Sequence, residues 1–138
     1  MRKPLMMTVV ALMAAIGFAA PAQATVNDVP MPFGMAYGNS TTTGTINFTD
    51  GYTASVSATV HAASGSRMFC FWGTNGDVET GAKCSPWANA GGPNRTYSDS
   101  LRIALPGGVQ QVHIAMYDEN TNPLAGVNCT RTGCYRAF

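Results

Sequence analysis

From Tyr52 to His61 the chain alternates without a break. Tyr52, Ala54, Val56, Ala58 and Val60 are apolar, and Thr53, Ser55, Ser57, Thr59 and His61 are polar. Successive side chains of a strand point to opposite faces, so this stretch has one oily and one wet face only if it is extended. It therefore predicts a half-buried antiparallel strand. Just before it, Ile46 and Phe48 alternate with Thr45, Asn47 and Thr49, and Asp50-Gly51 stands between the two runs as a two-residue hairpin signal. Leu101, Ile103 and Leu105 repeat the pattern, as do Val112, Ile114 and Met116, with Pro106-Gly107-Gly108 between them. That arrangement predicts a second hairpin.

Other segments fit the same picture. Met68-Phe69-Cys70-Phe71-Trp72 is apolar on both faces, so it predicts a strand buried on both sides or capped by a loop. Gly73 to Asn94 is a long loop, and a loop of this length is usually functional or pinned. Val127–Cys129 and Cys134–Phe138 predict a last hairpin, with Gly133 in the left-handed turn position. No stretch after residue 24 keeps a helical period. Six or seven short strands joined by turns predict an all-β fold, a small immunoglobulin-like antiparallel β-sandwich, with a small β-barrel as the alternative.

The N-terminus reads as a leader. Arg2 and Lys3 precede an apolar run from Met6 to Ala20, and Ala22-Gln23-Ala24 is a small-x-small cleavage pattern. Together they predict a signal peptide over residues 1–24, with an apolar run short for a membrane span and no span left after cleavage. Residues 25–43, rich in Pro, Gly, Ser and Thr, read as an extended or mobile lead-in. Met31, Phe33, Met35 and Tyr37 alternate within it and suggest an edge strand. The sandwich domain is expected over 44–138. Removing 24 of the 138 residues leaves 114, a one-domain length. Without Arg2 and Lys3, six basic residues face seven acidic ones, so the expected mature net charge is −1. Such a chain has no electrostatic footprint for nucleic acid or for an anionic membrane.

Four cysteines in a small exported chain predict two disulfides. The sequential pairing, Cys70 with Cys84 and Cys129 with Cys134, is the favoured one of three. Zinc is the competing reading, but the C-x13-C and C-x4-C spacings do not match paired short zinc spacings. Closing loops of these lengths contributes about 3 and about 2 kcal/mol in the chain-entropy picture. Either is a large share of the roughly 5–15 kcal/mol by which a domain is stable.

The run Thr43 to Val60, T-G-T-I-N-F-T-D-G-Y-T-A-S-V-S-A-T-V, resembles the opening hairpin of small secreted β-sandwich proteins of actinobacteria. The resemblance implies export and a sandwich fold. It implies no catalytic residue.

Candidate chemistry lies on the loops. Thr130-Arg131-Thr132, held between Cys129 and Cys134, resembles the Thr-basic-Ser core of a Bowman–Birk protease-inhibitor loop, without that loop's length or its prolines. A braced loop docks with less entropy lost, which is the reason to consider Arg131. The plainer reading is the turn of a stapled hairpin. Trp72, Trp87, Phe69, Phe71, Tyr97 and Tyr117 are candidates for a sugar-stacking platform, with loop-borne Trp87 the best of them; the plainer reading is core filling.

His61 and His113 read as outward, solvated strand residues. A Ser-His-Asp set would need Asp99 or Asp118 as its third member, and no G-x-S-x-G elbow is present. Asp118, Glu119, Asn120 and Asn122 offer oxygens in a turn, without a calcium-loop signature. Asn39, Asn47, Asn94 and Asn128 open N-x-Ser/Thr patterns, read as chance in a Thr- and Asn-rich chain.

The sequence thus predicts a secreted, non-enzymatic protein without metal or cofactor. It would act in extracellular recognition or as a surface structural part, through loops 73–96 and 130–133, on an extracellular protein or glycan. Inhibition of an extracellular hydrolase through Arg131 and glycan binding through Trp87 are the alternatives.

Overall fold

The computed structural model describes residues 29–138, so the leader expected over 1–24 lies outside the described residues. Among the described residues eleven strands follow in order: β1 Met31–Tyr37, β2 Ser40–Phe48, β3 Thr53–His61, β4 Ser66–Asn75, β5 Val78–Glu79, β6 Lys83–Cys84, β7 Ala88–Asn89, β8 Arg95–Arg102, β9 Gln111–Tyr117, β10 Pro123–Thr130 and β11 Gly133–Arg136. They form two antiparallel sheets. One has the order β1-β2-β3-β8. The other has the order β11-β10-β9-β4-β5, with β6 and β7 also on β4.

The chain crosses from one sheet to the other between β3 and β4, between β7 and β8 and between β8 and β9, while β3 pairs with β8 and β4 with β9. This is how strands B, C, E and F of an immunoglobulin sandwich interlock. In those terms β2 and β10 take the places of A and G. β1 and β11 add outer strands, and β8 stands at an edge of its sheet.

Alternation accounts for the core. Ile46, Phe48, Ala54, Val56, Ala58 and Val60 turn inward from one sheet and meet Phe69, Phe71, Val112, Ile114, Met116 and Val127 from the other. Phe69 and Phe71 are fully buried, and each contributes about 1.5–3 kcal/mol by leaving water. Tyr97 packs on both rings, 6.5 Å from Phe69 and 5.9 Å from Phe71 between centroids. The outward side chains of β4 include Met68, Cys70, Trp72 and Thr74. Short strands β5, β6 and β7 cover this strand's edge, so the expected long loop is pinned along β4 as well as by Cys70–Cys84. Both disulfides form as expected, each between residues directly opposed across two strands.

The edge strand expected from Met31, Phe33, Met35 and Tyr37 does form as β1, with Phe33 and Met35 buried against the core, and Ser40–Thr43 already belong to β2. Several local expectations are corrected. Asp50-Gly51 does not close a two-residue hairpin. The loop runs from Thr49 to Tyr52, and the Asp50 carboxylate gathers the backbone N–H groups of Tyr52 and Thr53, both at 2.6 Å. The second expected hairpin is absent, since β8 and β9 belong to different sheets. Pro106-Gly107-Gly108 turns a crossover instead. Gly133 does not adopt the left-handed conformation. The two-residue tip Arg131-Thr132 turns without it.

Candidate binding face

The outward face of the larger sheet is built by register. Trp72 on β4 stands opposite His113 on β9, His113 opposite Asn128 on β10, and Asn128 opposite Tyr135 on β11. These four side chains form one rank across the sheet. Thr74, Gln111 and Thr130 form the next rank toward the crossover end. The ranks are cross-linked. His113 Nδ1 lies 2.6 Å from Asn128 Oδ1, and its Nε2 lies 3.0 Å from the Thr74 hydroxyl. An amide oxygen only accepts, so Nδ1 carries the hydrogen toward Asn128, while Nε2 and the Thr74 hydroxyl share the second bond. Gln111 Nε2 donates to the Tyr135 hydroxyl.

The Trp72 indole stacks on the His113 imidazole, with 5.4 Å between centroids and 16° between planes. Trp72, His113 and Asn128 are partly buried, and Tyr135 is exposed. The result is an aromatic side chain held at a fixed angle, edged by amide, hydroxyl and phenol groups. Such a set can pack against an apolar ring face and hydrogen-bond to neutral polar groups.

The expected site residues fall in different places. Trp72 belongs to this face. Trp87 lies between β6 and β7, 36% exposed, and its carbonyl accepts from Arg95 Nε at 3.3 Å. Arg131 does not project from its hairpin tip. Its guanidinium donates to the Asp50 carbonyl at 3.1 Å and lies 4.8 Å from the centroid of the Phe48 ring. Phe69 and Phe71 are core residues, so they leave the stacking platform.

The histidines, too, are not merely solvated. His113 is built into the rank, and His61 Nδ1 lies 2.8 Å from Asn94 Oδ1. Asp99 faces neither of them. It receives the Tyr97 hydroxyl at 2.9 Å and pairs with Lys83 at 3.0 Å. The Ser100 backbone N–H and the Lys83 ammonium hold its carboxyl below the usual range, while the same Asp99 hydrogen bond pushes the Tyr97 phenol up.

Asp118 turns inward on its own turn. One oxygen accepts the N–H groups of Asn120 and Asn122, both at 2.9 Å. The Asn122 N–H is the main reason its carboxyl is lowered. Glu119 pairs instead with Arg67, which is 7% exposed, at 3.3 Å.

The outward face of the smaller sheet differs in kind. On β3 and β8 it presents hydroxyls that bond one another: Ser55 with Ser100, Ser57 with Ser98, and Thr59 with Thr96. No Trp, Tyr or Phe stands among its outward positions on β2, β3 and β8.

Asn128, Tyr135, Gln111 and Thr74 escape the sequence reading, because only the pairing of four strands brings them beside Trp72. Within single strands only the shared phase is local: Thr74 with Trp72, Gln111 with His113 and Thr130 with Asn128.

Comparison with protein-family models, with curated proteins and with solved structures returned no match.

Proposed function

We propose that this chain is an exported, non-enzymatic recognition module, and that it binds an extracellular glycan on the face around Trp72. The observation that carries the reading is the rank Trp72–His113–Asn128–Tyr135, where a stacked indole is bordered by uncharged hydrogen-bonding groups. A sugar ring offers an apolar face and neutral hydroxyls, which is the complement of that rank. The side chains are already cross-linked, so less rotamer freedom is lost on docking. Two disulfides in a small all-β domain, together with the leader read over residues 1–24, support an extracellular setting. Among the described residues no helix is long and apolar enough to cross a membrane.

Arg131 and Trp87 are weaker anchors. The first is held against Phe48 and Asp50, and the second stands apart from the cross-linked rank. The test is affinity electrophoresis and calorimetry against a panel of soluble cell-wall and plant polysaccharides. Retardation lost in Trp72→Ala and kept in Trp87→Ala and Arg131→Ala supports the reading. Retardation by no glycan in the panel, or loss only in Trp87→Ala, overturns it.

A further inference from the structure

The smaller sheet ends on β1, whose outer edge pairs with no strand among the described residues. An unpaired edge is a template for another strand, and chains commonly guard it with charge. The opposite edge, β8, follows that rule. It carries Arg95, Asp99 and Arg102, and Lys83 reaches across to Asp99. β1 reads Met-Pro-Phe-Gly-Met-Ala-Tyr and carries no charge.

Beside β1 lies a cleft of about 500 Å³ between the two sheets, of mixed polar and apolar lining, with Phe33, Met35, Val127 and Phe138 as its large apolar side chains and Arg136 on its wall. Exposed apolar side chains collect here. Val29 precedes β1, Tyr37 ends it, and Tyr135 and Phe138 line the cleft, each at least half exposed.

The backbone adds direction. Pro32 has no N–H, and a strand accommodates it where its nitrogen faces away from the neighbouring strand. Pro32 stands opposite Thr45 on β2, so its nitrogen points to the free edge. By the period of two, the N–H groups of Gly34 and Ala36 point there as well.

We infer that β1 is a self-association edge, on which a second copy of this chain pairs its own β1 antiparallel about Gly34. In that register the two Gly34 residues exchange both main-chain hydrogen bonds. The Ala36 N–H of each copy reaches the Pro32 carbonyl of the other. Both outward N–H groups are then satisfied, and the missing donor of Pro32 leaves only an Ala36 carbonyl to water. Phe33 of one copy comes beside Met35 of the other, where the two clefts meet. With no charge on the strand, two copies approach without repulsion, and a contact that uses the same patch twice closes as a dimer.

Sedimentation equilibrium across a wide concentration range, on the disulfide-intact chain without its leader, is expected to show a monomer–dimer equilibrium. Ala36→Pro removes an outward N–H without touching the ladder to β2, and it weakens association about tenfold or more. Gly34→Lys sets like charges across the axis. Its Cβ meets only Thr43 Cγ2 at 3.6 Å and the Thr42 carbonyl at 4.0 Å, so the monomer tolerates it. Pro32→Ala supplies the missing donor and tightens the dimer. Circular dichroism verifies the fold of each variant, and Gly34→Lys decides if Ala36→Pro unfolds. A wild-type chain monomeric at every concentration overturns the inference. A dimer indifferent to all three changes also overturns it. None of these residues lies in the Trp72 rank, so glycan binding is read separately.

Discussion

The indole of Trp72 and the imidazole of His113 stack on neighbouring strands, and the imidazole is itself held from both sides by Asn128 and Thr74. The histidine is thus the piece that sets the tryptophan's angle. His113→Ala removes the stack and leaves Asn128 and Thr74 without their partner. The expected loss is about 2 kcal/mol of stability. Urea unfolding followed by tryptophan emission measures it, and native-state emission should move to the red as the indole gains water. His113→Gln, which keeps polar atoms but no ring, should fall between.

Arg131 carries a second prediction. Its guanidinium rests on Phe48 and donates to the Asp50 carbonyl, joining the β10–β11 tip to the β2–β3 turn. Arg131→Ala is expected to lower stability by about 1 kcal/mol, read from the shift of the urea midpoint. The same docking keeps the side chain out of a trypsin-like pocket. Stoichiometric chain is therefore expected to leave such a protease at full rate. Inhibition that disappears in Arg131→Ala would restore the inhibitor reading.

Gly133 separates two accounts of the hairpin tip. A left-handed glycine there would make any side chain costly. Its backbone is not left-handed, and an added Cβ meets nothing within 4 Å. Gly133→Ala should therefore be neutral or stabilising by up to about 1 kcal/mol, since alanine narrows the unfolded ensemble. A melting temperature lowered by several degrees would return the glycine to the left-handed turn.

What the sequence disclosed follows from the range over which each signal acts. Alternation in Tyr52–His61 is local, and it located both β3 and its buried Ala54, Val56, Ala58 and Val60. The cysteine pairing was legible because opposed strands at a hairpin bring Cys129 and Cys134 together. Leu101–Leu105 and Val112–Met116 misled, because apolar runs flanking a Gly-Gly turn look alike whether the chain folds back within a sheet or crosses between sheets. Arg131 misled for a related reason. Its partners Phe48 and Asp50 lie about eighty residues away, and no local pattern points to them. The Trp72 rank was illegible in the same way, since four strands must be in register before its members meet.

Three carboxyls and one phenol make the chain's stability depend on pH at both extremes. Asp50 is lowered first by the Tyr52 N–H, Asp99 by the Ser100 N–H and then by Lys83, and Asp118 by the Asn122 N–H, each from an ordinary value of 3.8. A carboxyl lowered on folding binds fewer protons in the native state than in the unfolded one. Its contribution is complete above 3.8 and is lost as pH falls through the lower native value. Tyr97 works in the opposite sense. Its phenol is raised above 10.0, chiefly by the Asp99 hydrogen bond, so that contribution holds below 10.0 and fades as pH rises through the native value. The urea midpoint is therefore expected to stay level through neutral pH, to fall on the acid side below about pH 4 and to fall again above about pH 10. Asp118→Asn should make the acid flank shallower and leave the alkaline one alone. Tyr97→Phe should flatten the alkaline flank and, because its hydroxyl is one of the donors that lower Asp99, soften the acid flank as well. A midpoint unchanged at pH 3, or an acid flank that Asp118→Asn leaves as steep as before, would show that these turn hydrogen bonds persist in the unfolded chain.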